Sequence, residues 1–163
     1  PSPTLHALAL PLLLTSPPFP SYAALIDAVR TVLLSLVAEA QFPTADTAPE
    51  ARGKLHAILG SHPRLGERKK AVGAISKNEQ RHLNNTEEGK TEGETELERS
   101  NREYEERFPG LRYVVWVNGR GRAEVLEDMK RRTGEGSLEG EERAGVGAMC
   151  DIAADRARKL GQV

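Results

Sequence analysis

The sequence holds a single cysteine, Cys150, among 163 residues. No internal disulfide can form, no cysteine-based metal site can be built, and a reducing compartment is the default for such a chain. Aromatic residues are scarce, at 4%, which argues against a base-stacking platform. Neither sign of charge prevails. The 23 Lys and Arg stand against 24 Asp and Glu, so no overall field draws the chain to nucleic acid or to an anionic membrane. The longest apolar run, Leu5 to Leu14, is too short to span a bilayer and is interrupted by His6 and Pro11. No basic residue precedes it, as one would in a secretory signal. The last three residues, Gly161-Gln162-Val163, are not a peroxisomal tripeptide. The expectation is an intracellular protein, cytoplasmic or peroxisomal, with no nucleic-acid and no membrane partner. A homodimer is compatible with the sequence but not dictated by it.

What is present is helical periodicity on a chain of one-domain length. Hydrophobic residues make up 38%, enough for a real core. From Ser21, a good N-cap, the segment Tyr22 to Ala40 spaces Leu25, Ile26, Val29, Val32, Leu33 and Leu36 by three and four. Pro43 to Pro49 reads as a loop. A short helix with Leu55, Ile58 and Leu59 follows, with Gly60 placed to end it. Ser76 and Glu79 have the spacing of a capping box and announce a helix to about Asn84. Residues 84 to 98 carry six acids against one lysine and read as a mobile, solvated insertion. Leu97, Asn101, Tyr104 and Phe108 mark another helix face, stopped by Pro109-Gly110. Leu111 to Val117 is the one β-like run, short enough to be a buried extended segment. Two more helices are expected, Ala123 to Thr133, ended by Gly134, and Leu138 to Leu160, weakened by Gly140, Gly145 and Gly147. The residues thus predict one predominantly α-helical domain over 1–163.

Few residues offer chemistry. His6 lies near a chain end, His82 in a polar stretch, and His56 reads as a surface or edge residue. His62 stands apart because it sits two residues after a helix-ending glycine and just before a proline, and both neighbours restrict the backbone. A fixed imidazole suits general acid–base work; an ordinary loop histidine is the competing reading. One reading of Glu79 is a capping carboxylate that reaches back to the Ser76 amide; the other is a ligand site, since a helix start also gathers anionic ligand groups, with Ser76, Asn78 and Gln80 as further donors and acceptors. Arg156 shares a helix face with Met149, Ala153 and Leu160, so it either snorkels or pairs with something buried. Gly119-Arg120-Gly121 is too short for a phosphate loop, and no metal-ligand spacing occurs. On these residues alone, only cofactor-independent acid–base chemistry can be suggested.

A set of segments, in order along the chain, carries a resemblance. Phe19-Pro20-Ser21-Tyr22 is followed by His62-Pro63-Arg64-Leu65-Gly66 and Ser76-Lys77-Asn78-Glu79-Gln80. Tyr104-Glu105-Glu106-Arg107-Phe108 then leads into Tyr113-Val114-Val115-Trp116-Val117, and Asp151-Ile152-Ala153-Ala154-Asp155-Arg156 closes the set. In these pieces the chain resembles 2-oxo-4-hydroxy-4-carboxy-5-ureidoimidazoline (OHCU) decarboxylase, the last enzyme of urate breakdown to (S)-allantoin. In place of the family's shorter Phe-Gly-aromatic-Pro-Phe pattern stands Phe108-Pro109-Gly110-Leu111-Arg112-Tyr113.

The resemblance implies an all-α, single-domain helical bundle that acts without cofactor or metal on a small ureidoimidazoline. It implies His62 as the catalytic histidine, Glu79 as its acidic partner and Arg156 as the substrate anchor. Pro63, Ser76, Lys77, Asn78, Glu79, Gln80, Tyr113, Val114, Val115, Trp116 and Val117 would line the pocket, partly through backbone groups. Two other readings stand beside it: a non-catalytic helical interaction module docking through residues 84–98, and a cofactor-free lyase or hydrolase acting on another ureide.

Overall fold

A computed structural model describes residues 2–15, 18–42, 48–66 and 95–161 of the chain. Among these residues 74% are helical and none lies in a strand, so the expected all-α class is what forms. In chain order the helices are α1 (Pro3–Thr15), α2 (Tyr22–Gln41), α3 (Ala48–Leu59), α4 (Glu96–Arg107), α5 (Arg122–Glu135) and α6 (Leu138–Lys159). Helix α2 packs on α3 and α6, α3 on α6, α4 on α5, and α1 lies against α3.

The ends of these helices follow from local chemistry. The Ser21 hydroxyl accepts from the Ala24 amide at 3.2 Å and starts α2. Leu33, Leu36, Val37 and Ala40 then form its buried seam. Thr95 and Glu98 make a reciprocal capping box at the head of α4. Ser137 caps α6 by accepting from the Gly140 amide at 3.1 Å. Gly145 earns its place despite its low helix propensity: a Cβ there would lie 3.2 Å from both δ-carbons of Leu59. The missing side chain lets α3 close on α6.

Three boundaries differ from the sequence reading. Helix α3 begins at Ala48, so Pro49 belongs to its first turn, where a proline's missing N–H costs nothing. Gly134 does not end α5, which continues to Glu135, with Gly136 as its C-cap. Residues 95–98 are not part of a mobile insertion; they are the cap and first turn of α4, with Leu97 only 2% exposed. Acids at the head of a helix favour its dipole, so charge density was the wrong signal there. The expected helix from Ser76 and the remainder of the acidic stretch lie outside the described residues.

Leu111 to Val117 is extended and largely buried, as expected. Without a neighbouring strand its carbonyls need other donors, and arginines supply them. Arg132 Nη1 donates to Val114 O at 3.3 Å, and Arg120 Nη2 to Trp116 O at 2.6 Å. The Arg120 backbone amide takes Val117 O at 2.9 Å. A turn through Asn118 and Gly119, both at positive φ, then reverses the chain into α5.

The polar centre of the fold is Glu141 on α6, 5% exposed. It accepts from the Tyr104 hydroxyl of α4 at 2.7 Å and from Arg132 Nε of α5 at 2.9 Å. The Arg132 guanidinium also lies over the Tyr113 ring, 4.7 Å from its centroid, while the Tyr113 hydroxyl donates to Asp128. Burial, then the hydrogen bonds to Glu141 and Asp128, push both phenols well above their ordinary range. Burial alone would raise Asp128. The bonds from Tyr113 and Arg131 and the Arg132 charge outweigh it and hold that carboxyl low.

These shifts set a pH window. A phenol raised in the folded state contributes its full stability below the unfolded value of about 10 and loses it as pH rises beyond. Asp128 contributes above about pH 4 and loses that contribution in acid. Thermal unfolding followed by circular dichroism should therefore show a melting temperature that drops between pH 9 and about pH 11. In Tyr104→Phe that alkaline drop should be shallower.

Candidate active site

His62 sits three residues beyond the end of α3, in a turn closed by its own amide on Leu59 O at 3.2 Å. Its residue is half-buried, as is Pro63. The rest of the motif is tied to α4. Leu65 is buried, and its carbonyl accepts from Asn101 Nδ2 at 3.0 Å. Arg64 Nε donates to Glu105 Oε1 at 2.6 Å. Asn101 and Glu105 are four residues apart on α4, so one helix face holds both. On the other side, Arg112 Nη1 donates to the His62 carbonyl at 2.7 Å.

The extended segment runs from this turn toward the end of α6. Tyr113, Val114 and Val117 are buried, whereas Val115 and Trp116 are half-buried. The Tyr113 side chain is committed to Asp128 and Arg132, so it serves the core. At the far end the Arg158 guanidinium lies 5.9 Å from the Trp116 ring centroid. Arg156 is half-buried on the same last turns of α6. The stripe expected to surround it fades along the helix, since Met149 is 8% exposed but Leu160 is 67%. Four positions of backbone thus separate Arg112, bonded to the His62 turn, from Trp116, which lies beneath Arg158. Glu79, with Ser76, Lys77, Asn78 and Gln80, lies outside the described residues.

His56 requires a correction. It is no surface histidine: its Nε2 lies 2.9 Å from Oε1 of Glu142, a residue with no exposed surface. Arg52 Nε approaches the same oxygen at 3.0 Å, and its Nη2 caps Ala40 O at 3.0 Å. A Cβ on Gly110, whose φ is +90°, would fall 2.4 Å from His56 Nδ1. The backbone at 110 therefore closes directly over the ring, in a conformation only glycine adopts readily. A signal for this cluster was present in the sequence. Glu142 stands four residues before Val146 on the apolar stripe of α6, the same anomaly that drew attention to Arg156.

Among the described residues no three His, Cys, Asp or Glu side chains converge where a metal ion could be held. No helix among them is long and apolar enough to cross a membrane. Burial raises the Cys150 thiol, against the opposing charge of Arg30, which is bonded to the neighbouring Asp151.

The His56 pair yields a stability prediction. Replacing His56 by Asn withdraws a donor from a fully buried carboxylate, at a cost of about 1.5–3 kcal/mol. Replacing half-exposed His62 by Asn should change stability by less than about 1 kcal/mol. Urea unfolding of the two variants checks the contrast; equal midpoints would contradict it.

Comparison with known proteins closes the question of family. A search among curated proteins finds no match. The family of OHCU decarboxylases, by contrast, matches residues 1–158, nearly the whole chain, including the His62 turn, the extended segment and Arg156. That match favours the enzyme over the interaction module, and the helical architecture agrees with it. The chain belongs to the OHCU decarboxylase family, carboxy-lyases that remove CO2 from this ureidoimidazoline in urate breakdown.

Proposed function

We propose that this chain, acting as one domain, converts OHCU to (S)-allantoin without a cofactor, with His62 and Glu79 managing protons and Arg156 holding the substrate. The observation that carries this reading is the family match across residues 1–158, the stretch in which all three residues lie. The clamped His62 turn supports it, since proton transfer needs a group fixed within hydrogen-bond reach of its target.

The chemistry explains why no cofactor is required. Heterolysis of the bond between C4 and the carboxylate releases CO2 and leaves an electron pair on the ring. The adjacent C5=N imine takes up that pair as a C4=C5 double bond forms and the nitrogen gains a proton. The C4 hydroxyl then loses its proton to become the carbonyl of allantoin, while C5 receives a proton on one face. The substrate thus supplies its own electron sink. The protein's part is to orient the ring and deliver protons with stereocontrol.

In this reading Arg156 provides a planar fork for the carboxylate or ureido oxygen. His62 and Glu79 polarise the hydroxyl and ring groups. Pro63, Ser76, Lys77, Asn78, Gln80 and the 113–117 segment shape the walls. Half-buried Val115 and Trp116 are the side chains of that segment best suited to touch a ligand.

Replacing His62 by Asn keeps a polar side chain but removes the imidazole that would pass the proton. On substrate generated in situ from urate, the variant's kcat should fall by roughly 10²–10⁴-fold. Its melting temperature should stay near that of the parent. Retention of most of the activity, or loss only through unfolding, would make His62 structural.

A further inference from the structure

The two ends of the His62 turn are held by different parts of the molecule. Leu65, at its far end, is bonded to α4 through Asn101, whose Nδ2 also donates to Leu97 O at 2.8 Å and is thereby fixed within its own helix. At the near end the partner is Arg112, 50 positions along the chain, whose Nη1 lies 2.7 Å from the His62 carbonyl oxygen. Arg112 is half-buried and belongs to the segment 108–113 that stands in place of the shorter family pattern.

A bond to the carbonyl of His62 fixes the peptide plane between His62 and Pro63. The ring of Pro63 fixes φ on the following residue, and the His62 amide is already engaged by Leu59 O. With planes on both sides of its Cα constrained, the direction in which the His62 side chain leaves the backbone is constrained as well. Misplacement of a reacting group by about 1 Å can cost roughly 10²-fold in rate, so such a tie bears on catalysis even without substrate contact.

We propose that Arg112 is the positioning residue of His62. Its guanidinium holds the backbone that aims the imidazole, and it acts on the reaction through that histidine. The proposal rests on the catalytic reading of His62 given above. A merely structural tie would alter melting temperature and leave the kcat of the folded enzyme unchanged.

The test measures kcat and KM, on substrate generated in situ, for the parent, Arg112→Ala, Arg112→Lys, His62→Asn and the Arg112→Ala/His62→Asn double variant. Arg112→Ala should lower kcat about 10-fold while KM moves by less than about threefold. Arg112→Lys should recover most of that loss, because an ammonium can donate to the same carbonyl. In the His62→Asn background, Arg112→Ala should cause no further loss. Should the alanine variant fail to fold, Arg112→Gln carries the same comparison with a stem too short to reach the carbonyl. An unchanged kcat in Arg112→Ala beside a depressed one in His62→Asn overturns the proposal alone. So does an equal loss from Arg112→Ala in both backgrounds. Full activity in His62→Asn overturns the catalytic reading itself, and the proposal with it.

Discussion

The contact between Arg132 and Glu141 is the constraint on which the second half of the molecule depends. Both side chains are nearly sealed from water, at 11% and 5% exposure. A buried ion pair is retained at a desolvation cost that only full hydrogen bonding offsets. Here the carboxylate is shared by the Tyr104 hydroxyl and the arginine, while the arginine also reaches the Val114 carbonyl and lies over the Tyr113 ring. One pair of charges thus fixes α4, α5, α6 and the extended segment in a single arrangement. Removing either charge would leave the other buried and unpaired, the expensive case.

A second cluster does the same for the first half. Glu142 is adjacent to Glu141 in sequence but points to α3, where it meets Arg52 and His56. Arg52 passes the tie on to the end of α2 through Ala40 O. Two consecutive glutamates on α6 therefore anchor opposite sides of the bundle. The His62 turn lies between these two systems. It emerges from α3, is bound to α4 by Asn101 and Glu105, and meets the extended segment through Arg112. A turn held from several directions is a physical means of keeping one side chain in one place.

Much of the fold was legible because helical periodicity and capping chemistry are local. The Ser21 cap, the α2 seam and the extended character of Leu111 to Val117 all follow from neighbouring residues. Helix α1 could have been read from Ser2-Pro3, a cap followed by a first-turn proline; Ser2 Oγ accepts from the Leu5 amide at 3.2 Å. The apolar run drew attention to membranes instead, because it shows no amphipathic face. His56 was misjudged because its partner lies 86 positions away, and no local pattern announces that distance. The same holds for Arg112, a residue that reads as an ordinary charge beside a tyrosine until its partner is known. His62 and Arg156 could be singled out as anomalies of spacing, but their roles entered through the resemblance.

The most direct test of the account uses the unmodified protein. In free solution C5 of the decarboxylated ring offers both faces to a proton, so optical activity in the product reports protonation directed to one face. Substrate generated in situ from urate should, on addition of this chain, give allantoin faster than the spontaneous reaction. Its circular dichroism should carry the sign of the S enantiomer. Allantoin that forms at the spontaneous rate and shows no optical activity would contradict the central claim, whatever the fold of the chain.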